Sequence, residues 1–251
     1  MKEAIQERLK EIEHKRNITI LYACEAGSRA YGLATAESDY DVRFIYKHEV
    51  NDYLRLNRPN EVINEGCNHD DIQGWDLYKA MHLFTKSNPS LFEWLHSSII
   101  YKENQAFAHA LRTNISSQYS HKALSFHYFQ LLKTNLHKKR KNDATMEEIK
   151  RYLHIMRAYL SLQVIIHQQK LPPIIFDRLV TEADSNQTFR DCTMILVNAK
   201  RNGYPVSQTD IKHVHDTIEG KLSLTYEQIS RLTEGNIDYS SVNDLILTTL
   251  S

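Results

Sequence analysis

The chain of 251 residues is long enough for one large domain or two small ones with a sizeable core. Lysine plus arginine and aspartate plus glutamate each total 31, so the formal net charge is zero, which argues against a strongly basic nucleic-acid wrapper and leaves room only for a local basic patch. The opening residues, MKEAIQERLKEIEHKRN, are charged throughout, unlike a signal peptide, and no apolar run approaches the roughly 18 residues of a membrane span. Cys24, Cys67 and Cys192 lie far apart and form no CxxC pair, so reduced thiols in a cytoplasmic protein are expected.

Only 7 glycines and 5 prolines punctuate the chain, which predicts much helix. Ile5, Leu9 and Ile12 repeat at helical spacing and predict an amphipathic N-terminal helix. ITILYAC, from Ile18 to Cys24, reads as a short buried strand that stops at Gly27-Ser28. RAYGLAT reads as one or two helical turns that Ser28 can cap, and DYDVRFIY, Asp39 to Tyr46, as a second strand. Residues 47–65 read as an irregular excursion with a short helix. DDIQGWDL, Asp70 to Leu77, reads as a third strand with a glycine inside it. A helix follows with Leu77, Ala80, Met81 and Phe84 on one face, ending at Ser87-Asn88-Pro89. PSLFEWLHS reads as another short helix and SIIYK as a small extra strand. Beyond about residue 103 strand signals vanish, and 103–141, 144–168, 174–201 and 206–249 all carry helical patterns. The expected organisation is an α+β region over 1–110 followed by a helical region over 111–251.

The informative stretch is EAGSRAYGLATAESDYDVRFIY. Residues two apart on a strand share a face, so Asp39 and Asp41 project together while Tyr40 and Val42 turn to the core. Two adjacent carboxylates repel each other unless a cation joins them. Hard carboxylate oxygens at this spacing suit Mg²⁺, which keeps several waters and completes its shell with substrate phosphates. Gly27 lets the backbone approach a ligand closely, and Ser28 adds a hydroxyl and backbone N–H groups, together an anion cradle. Either motif alone is ordinary: two aspartates at a strand start are common as solvated turn residues. Their joint occurrence between two apolar strands favours a nucleotide site.

Gly27-Ser28, ten residues, then Asp39-Tyr40-Asp41-Val42 resembles the signature of the DNA polymerase β-like nucleotidyltransferase superfamily. The wider run GSRAYGLATAESDYDVRFIY, with GWDLYKAMHLFTKSNPSLFEWL downstream, looks like its bacterial and phage nucleotidyltransferase branch, which includes RNA-repair-associated polymerases. The resemblance covers about residues 15–105 closely. It implies a nucleotidyltransferase fold, a small mixed sheet flanked by helices, followed by a helical region. It also implies a third carboxylate on a neighbouring strand, for which Asp71 is the choice, with Asp70 and Asp76 as competitors; Asp76 can equally be a helix N-cap.

The implied reaction moves a nucleoside monophosphate from an NTP to an acceptor hydroxyl, for example an RNA 3′ end, and releases pyrophosphate. In this two-metal scheme Asp39, Asp41 and Asp71 hold Mg²⁺ or Mn²⁺, and Gly27 and Ser28 seat the phosphates. Arg29 and Arg43 reach phosphate or pair with nearby acids, and Lys79 resembles a recurrent lysine of this branch or is a solvated helix residue. A non-catalytic nucleotide-binding protein on the same fold, regulatory or antitoxin-like, is the alternative.

Other features carry less. HKKRK, His137 to Lys141, with Lys150, Arg151 and Arg157, would suit a phosphate-rich partner such as an RNA end, although basic residues are also expected at helix C-termini. His213 and His215 stand two apart in a helical pattern and do not face each other, which disfavours a zinc site. Tyr119, Phe126, Tyr128 and Phe129 read as helix-packing residues rather than base-stacking platforms.

Overall fold

The computed structural model describes residues 1–66, 70–138, 145–183 and 186–251. The chain divides into two compact units, the first comprising 1–30, 38–119 and 236–251 and the second 31–37 and 120–235.

In the first unit α1 (Lys2–Arg16) buries Ile5, Leu9 and Ile12, and Asn17 ends it in the left-handed conformation at φ 51°. Five strands follow: β1 (Thr19–Glu25), β2 (Tyr40–Lys47), β3 (Val62–Asn64), β4 (Asp70–Asp76) and β5 (Ile100–Glu103). They form one mixed sheet in the order β3-β4-β2-β1-β5, in which β2 and β4 are parallel and the other pairs antiparallel. One face, carrying Val42, Phe44, Tyr46 and Ile72, joins the three α1 residues in a single hydrophobic cluster. On the other face Tyr22 pairs across β1 and β2 with Ile45, and its hydroxyl donates to the Trp94 carbonyl at 2.8 Å. Trp75 stacks on Trp94 with ring centroids 3.7 Å apart.

The helices of this unit start where capping chemistry allows. The short turn α2 (Gly27–Ala30) follows β1, and α3 (Val50–Tyr53) lies in the 47–65 excursion. Asp76 caps α4 (Leu77–Thr85) by accepting the Tyr78 N–H at 2.9 Å. Asn88 caps α5 (Pro89–Leu95), whose first residue is proline. Asn104 caps α6 (Gln105–Gln118). The expected boundary at 110/111 lies within α6. The last helix of the chain, α13 (Tyr239–Leu250), also belongs here: Lys47 Nζ donates to the Thr249 carbonyl at 2.7 Å, and Gln118 Oε1 accepts the Asp238 N–H at 2.9 Å.

The second unit is helical: α7 (His121–Leu136), α8 (Met146–Gln168), α9 (Phe176–Glu182), α10 (Gln187–Asn202), α11 (Gln208–Glu219) and α12 (Leu222–Ser230). Helix α8 is its axis, buried along most of its length from Tyr152 to Ile165. The segment 31–37 is tied to it by carbonyls: Tyr31 O accepts from the Phe176 N–H at 2.9 Å, and Leu33 O from Lys200 Nζ at 2.7 Å. The Arg157 guanidinium lies 3.8 Å over the Tyr31 ring, and Arg151 is engaged by Glu148 and by the carbonyls of Asn135 and Lys138. Of the basic run 137–141, residues 139–141 lie outside the described residues, as does Cys67. Cys24 and Cys192 are buried and free. The His215 ring nitrogen Nδ1 is 2.9 Å from the Tyr152 hydroxyl. Among the described residues no helix is long and apolar enough to cross a membrane.

Gly74 in β4 faces Phe44 across the parallel pair, and a Cβ there would lie 2.2 Å from the phenyl ring. Phe44 is fully buried and has no room to retreat. Gly74→Ala is therefore expected to destabilise the fold by about 1–3 kcal/mol, the usual cost of overpacking. Urea denaturation measures this, and an unchanged midpoint would contradict the packing described.

Candidate active site

The parallel pairing of β2 with β4 runs in direct register: Tyr40 opposite Asp70, Asp41 opposite Asp71, Val42 opposite Ile72. Opposed residues on neighbouring strands point to the same side of a sheet. Asp41 and Asp71 therefore stand side by side, while Asp70 shares the opposite side with Tyr40. Asp76, the other competitor, is buried at the far end of β4, where it caps α4 and accepts the Tyr53 hydroxyl at 2.6 Å. Asp39 is exposed just before β2. Its charge and that of Asp71 both act on Asp41.

Arg43 follows Asp41 on the same face and lies between the acids. Its Nη2 is 2.7 Å from Asp71 Oδ2 and 3.4 Å from Asp41 Oδ1, and its Nη1 donates to the Asp71 carbonyl at 2.7 Å. Of the two roles the sequence left open for Arg43, the structure has it in the ion pair. Burial pushes the Asp41 carboxyl above the usual carboxylate range; Arg43 opposes this, and Asp71 and Asp39 add to it. Among the described residues no three carboxylate, histidine or cysteine side chains converge closely enough to hold one metal ion.

The turn before these acids is fitted to them. Gly27 has φ +55°, and a Cβ on it would lie 1.9 Å from Asp41 Oδ2. Only glycine lets the turn and the carboxylate occupy this space. Ser28, partly exposed, lies within the single turn α2. Arg29 bends back along the chain: its Nη2 donates to the Ser38 carbonyl at 2.6 Å, its Nε to the Asp39 carbonyl at 3.2 Å, and its guanidinium lies 3.8 Å over the Tyr40 ring. It braces the segment that carries Asp39. Lys79, in the first turn of α4, is 3.9 Å from the Glu61 carboxylate.

One residue of the site was not recognised from sequence. Glu25, the last residue of β1, is fully buried; its Oε1 accepts the Asp41 N–H at 2.9 Å, and its Oε2 accepts the Tyr101 hydroxyl. Ser97 Oγ donates to the Glu25 carbonyl at 2.6 Å, and the Asp41 carbonyl accepts the Ala26 N–H at 2.8 Å. The Asp41 backbone is thus clamped on both sides. Burial raises the Glu25 carboxyl, while the Tyr101 and Asp41 hydrogen bonds pull the other way. The one signal in the sequence was a carboxylate ending an otherwise apolar strand directly before the Gly-Ser turn.

The arrangement is a glycine turn pressed against an acidic strand, with a further acid in register on the next strand. The chain is 34% identical over 254 residues to the uncharacterized protein YcgL of Bacillus subtilis (strain 168), an alignment that covers 100% of this chain and 96% of that protein. The sequence profile of the RlaP family, described as the RNA repair pathway DNA polymerase beta family, matches residues 1–248, and the chain belongs to that family.

Proposed function

We propose that the protein is a metal-dependent nucleotidyltransferase that moves a nucleoside monophosphate from an NTP to an acceptor hydroxyl, an RNA 3′ end being the leading acceptor, with release of pyrophosphate. The observation that carries this reading is the in-register placement of Asp41 and Asp71 with the Gly27 turn against the Asp41 carboxylate. The chemistry of the donors, carboxylate oxygens only, suits a hard divalent cation, Mg²⁺ or Mn²⁺; Asp39, Asp41 and Asp71 would supply them and would have to draw together round the ion, since the three do not converge closely enough without it. When bound, such ions would neutralise the phosphates and activate the acceptor oxygen.

The chain's own residues supply the rest. Gly27 and Ser28 are the turn proposed to seat the phosphates, next to the Asp41 carboxylate against which Gly27 is pressed. Glu25 and Ala26 hold the Asp41 backbone, and Arg29 holds the segment before it. This preorganisation limits the reorganisation needed when charge develops on the reacting phosphate. Arg43, now paired with Asp71 and Asp41, and Lys79, near the N-terminus of α4, are the basic groups proposed for contacts to the nucleotide. Asp71, the more exposed of the two facing acids, is the one proposed to lie nearer the acceptor.

One observation favours a second reading. Arg43 already supplies a cation to the acidic pair, as it would in a protein that binds nucleotide without turnover. Label transfer separates the two. The protein is incubated with each α-labelled NTP, Mg²⁺ or Mn²⁺, and a pool of RNA ends and cell extract. Label on one macromolecule, absent with Asp41→Asn, supports the transferase. Metal-dependent nucleotide binding without transfer under any condition supports the regulatory reading.

Asp41→Asn is expected to abolish transfer and weaken metal-nucleotide binding. It should change stability by less than about 1 kcal/mol, because the lost Arg43 contact is offset by relief of like-charge repulsion. Transfer at the wild-type rate would exclude Asp41 from the metal site. Asp71→Asn should slow transfer more than it weakens nucleotide binding in single-turnover and equilibrium titrations; an unaffected rate would remove Asp71 from the reacting site.

Gly27→Ala forces its new methyl group into the Asp41 carboxylate at a positive φ, so nucleotide binding should fall at least roughly tenfold while the protein still folds. Isothermal titration checks this, and binding at wild-type strength would show that the turn is not the cradle. Glu25→Ala leaves the Asp41 N–H and the Tyr101 hydroxyl without their acceptor and should cost about 1–3 kcal/mol in urea denaturation. Glu25→Gln, which keeps an acceptor oxygen, should recover most of that loss; equal losses in the two variants would argue against the clamp.

A further inference from the structure

The chain that joins the Gly27-Ser28 turn to Asp39 is held by the second unit. Residues 31–37 form neither helix nor strand, yet they belong to that unit. Helices α8, α9 and α10 all reach this strap. The Phe176 N–H, at the start of a helix with no side-chain cap, donates to the Tyr31 carbonyl at 2.9 Å. Arg201 on α10 donates to the Gly32 carbonyl through Nη2 at 2.6 Å and through Nε at 3.2 Å. Its neighbour Lys200 donates through Nζ to the Leu33 carbonyl at 2.7 Å. Arg157 on α8 lies over the Tyr31 ring. Consecutive carbonyls of the strap are thus each taken by a donor of the helical unit.

Two of those donors are charged, which a carbonyl does not require. Basic residues in the last turn of a helix ordinarily answer its own dipole. Lys200 and Arg201 stand in the last turn of α10 but are directed at another segment, and Lys200 is buried there. A buried ammonium has given up hydration and needs an acceptor fixed in place. Charge-assisted hydrogen bonds are about twice as strong as neutral ones, so these two pin the path of the strap firmly.

Both ends of the strap run directly into the acidic edge. Tyr31 follows α2, a helix of only 4 residues. A single turn does not hold itself in water. At its start Gly27 is pressed against Asp41, and its last residue, Ala30, donates to the Ala26 carbonyl at 3.3 Å. Beyond Ala30 the chain passes at once into the grip of Phe176, Arg201 and Lys200. At the far end the Ser38 carbonyl is held by Arg29, immediately before Asp39.

We propose that Lys200 and Arg201 are positioning residues of the nucleotide site. By fixing the strap they fix the turn at Gly27-Ser28, which a loose strap would leave to be ordered at the expense of nucleotide affinity. The proposal rests on the transferase reading and deepens it: the helical unit takes part in substrate binding without touching substrate.

The test combines hydrogen exchange read by mass spectrometry with NTP titration and label transfer, on the full chain. Arg201→Met and Lys200→Met are expected to speed amide exchange in residues 27–30 at least roughly tenfold and to leave α1 unchanged. KM for the NTP should rise at least roughly fivefold while kcat stays within about twofold, because ground state and transition state lose the same ordering entropy. A role limited to stability would instead lower kcat through the folded fraction and leave KM alone. Arg201→Lys, which keeps a charged donor, should recover most of the affinity. Asp177→Asn removes the ion pair that Arg201 makes at 3.0 Å but leaves both bonds to the Gly32 carbonyl, so it should match wild type. Faster exchange confined to 31–37, an unchanged KM, or an Asp177→Asn loss equal to that of Arg201→Met would overturn the proposal. Exchange is read without metal or nucleotide. If the wild type transfers no label, faster exchange at 27–30 with weaker NTP binding still supports the hold on the turn, and only the transferase reading falls. If transfer is normal and exchange at 27–30 does not change in the variants, the proposal alone falls.

Discussion

The direct register between β2 and β4 is the constraint on which the acidic edge depends. A shift of one residue in that pairing would move Asp71 to the opposite side of the sheet from Asp41 and bring Asp70 or Ile72 opposite it. Apolar packing holds the register. Val42, Phe44 and Tyr46 on β2 and Ile72 on β4 all contribute to the cluster with α1, so a slip would expose them and bury charge. The Phe44–Gly74 pair adds a steric lock, since the phenyl ring occupies the space that any other residue at 74 would need. The geometry of two surface carboxylates is thus set by residues that never meet a ligand.

The site then faces an electrostatic problem that the same sheet resolves. Asp39, Asp41 and Asp71 bring like charges together, and buried Glu25 adds a fourth carboxyl beside Asp41. The chain offers hydrogen bonds to Glu25 and one guanidinium to the acids that face solvent. Arg43 is well suited to the second task, because its planar fork reaches two carboxylates and two carbonyls at once. This internal cation lets a self-repelling cluster exist in a folded protein without a bound ion. In the proposed metal-dependent reaction an incoming divalent ion would have to displace or share Arg43, which would free its guanidinium for the proposed phosphate contacts.

How much of this was legible in the sequence follows from how local each determinant is. Helix α1, strands β1, β2 and β4 and the capped helices α4 and α5 were readable, because their periodicity, caps and proline lie within the elements themselves. Strand β3 was not, since three residues carry no period and Val62–Asn64 is a strand only because β4 pairs with it. The break between α6 and α7 was missed because neither glycine nor proline marks it; Ser120 opens α7 by accepting the Ala123 N–H, a cap with no acidic partner three residues on. The return of α13 to the sheet-bearing unit rests on contacts between residues such as Lys47 and Thr249, about which local pattern carries nothing.

The site divides along the same line. Gly27, Ser28, Asp39 and Asp41 could be singled out because their spacing is a linear motif, and Asp71 because a resemblance supplied the expectation of a third acid. Glu25 was passed over because its role depends on Tyr101, 76 residues away, and on Ser97 near it. From the strand pattern alone a glutamate beside a turn reads as a solvated boundary residue; only the arrival of β5 buries it and turns its carboxylate toward the Asp41 amide. Arg43 shows the intermediate case. Its strand face was readable and its partner was not, because which of two equally plausible anions it meets is decided by the neighbour across the sheet. Motifs single out candidate residues when these are close in sequence, while the residues that hold them are contributed by the fold and appear only once the strands are paired.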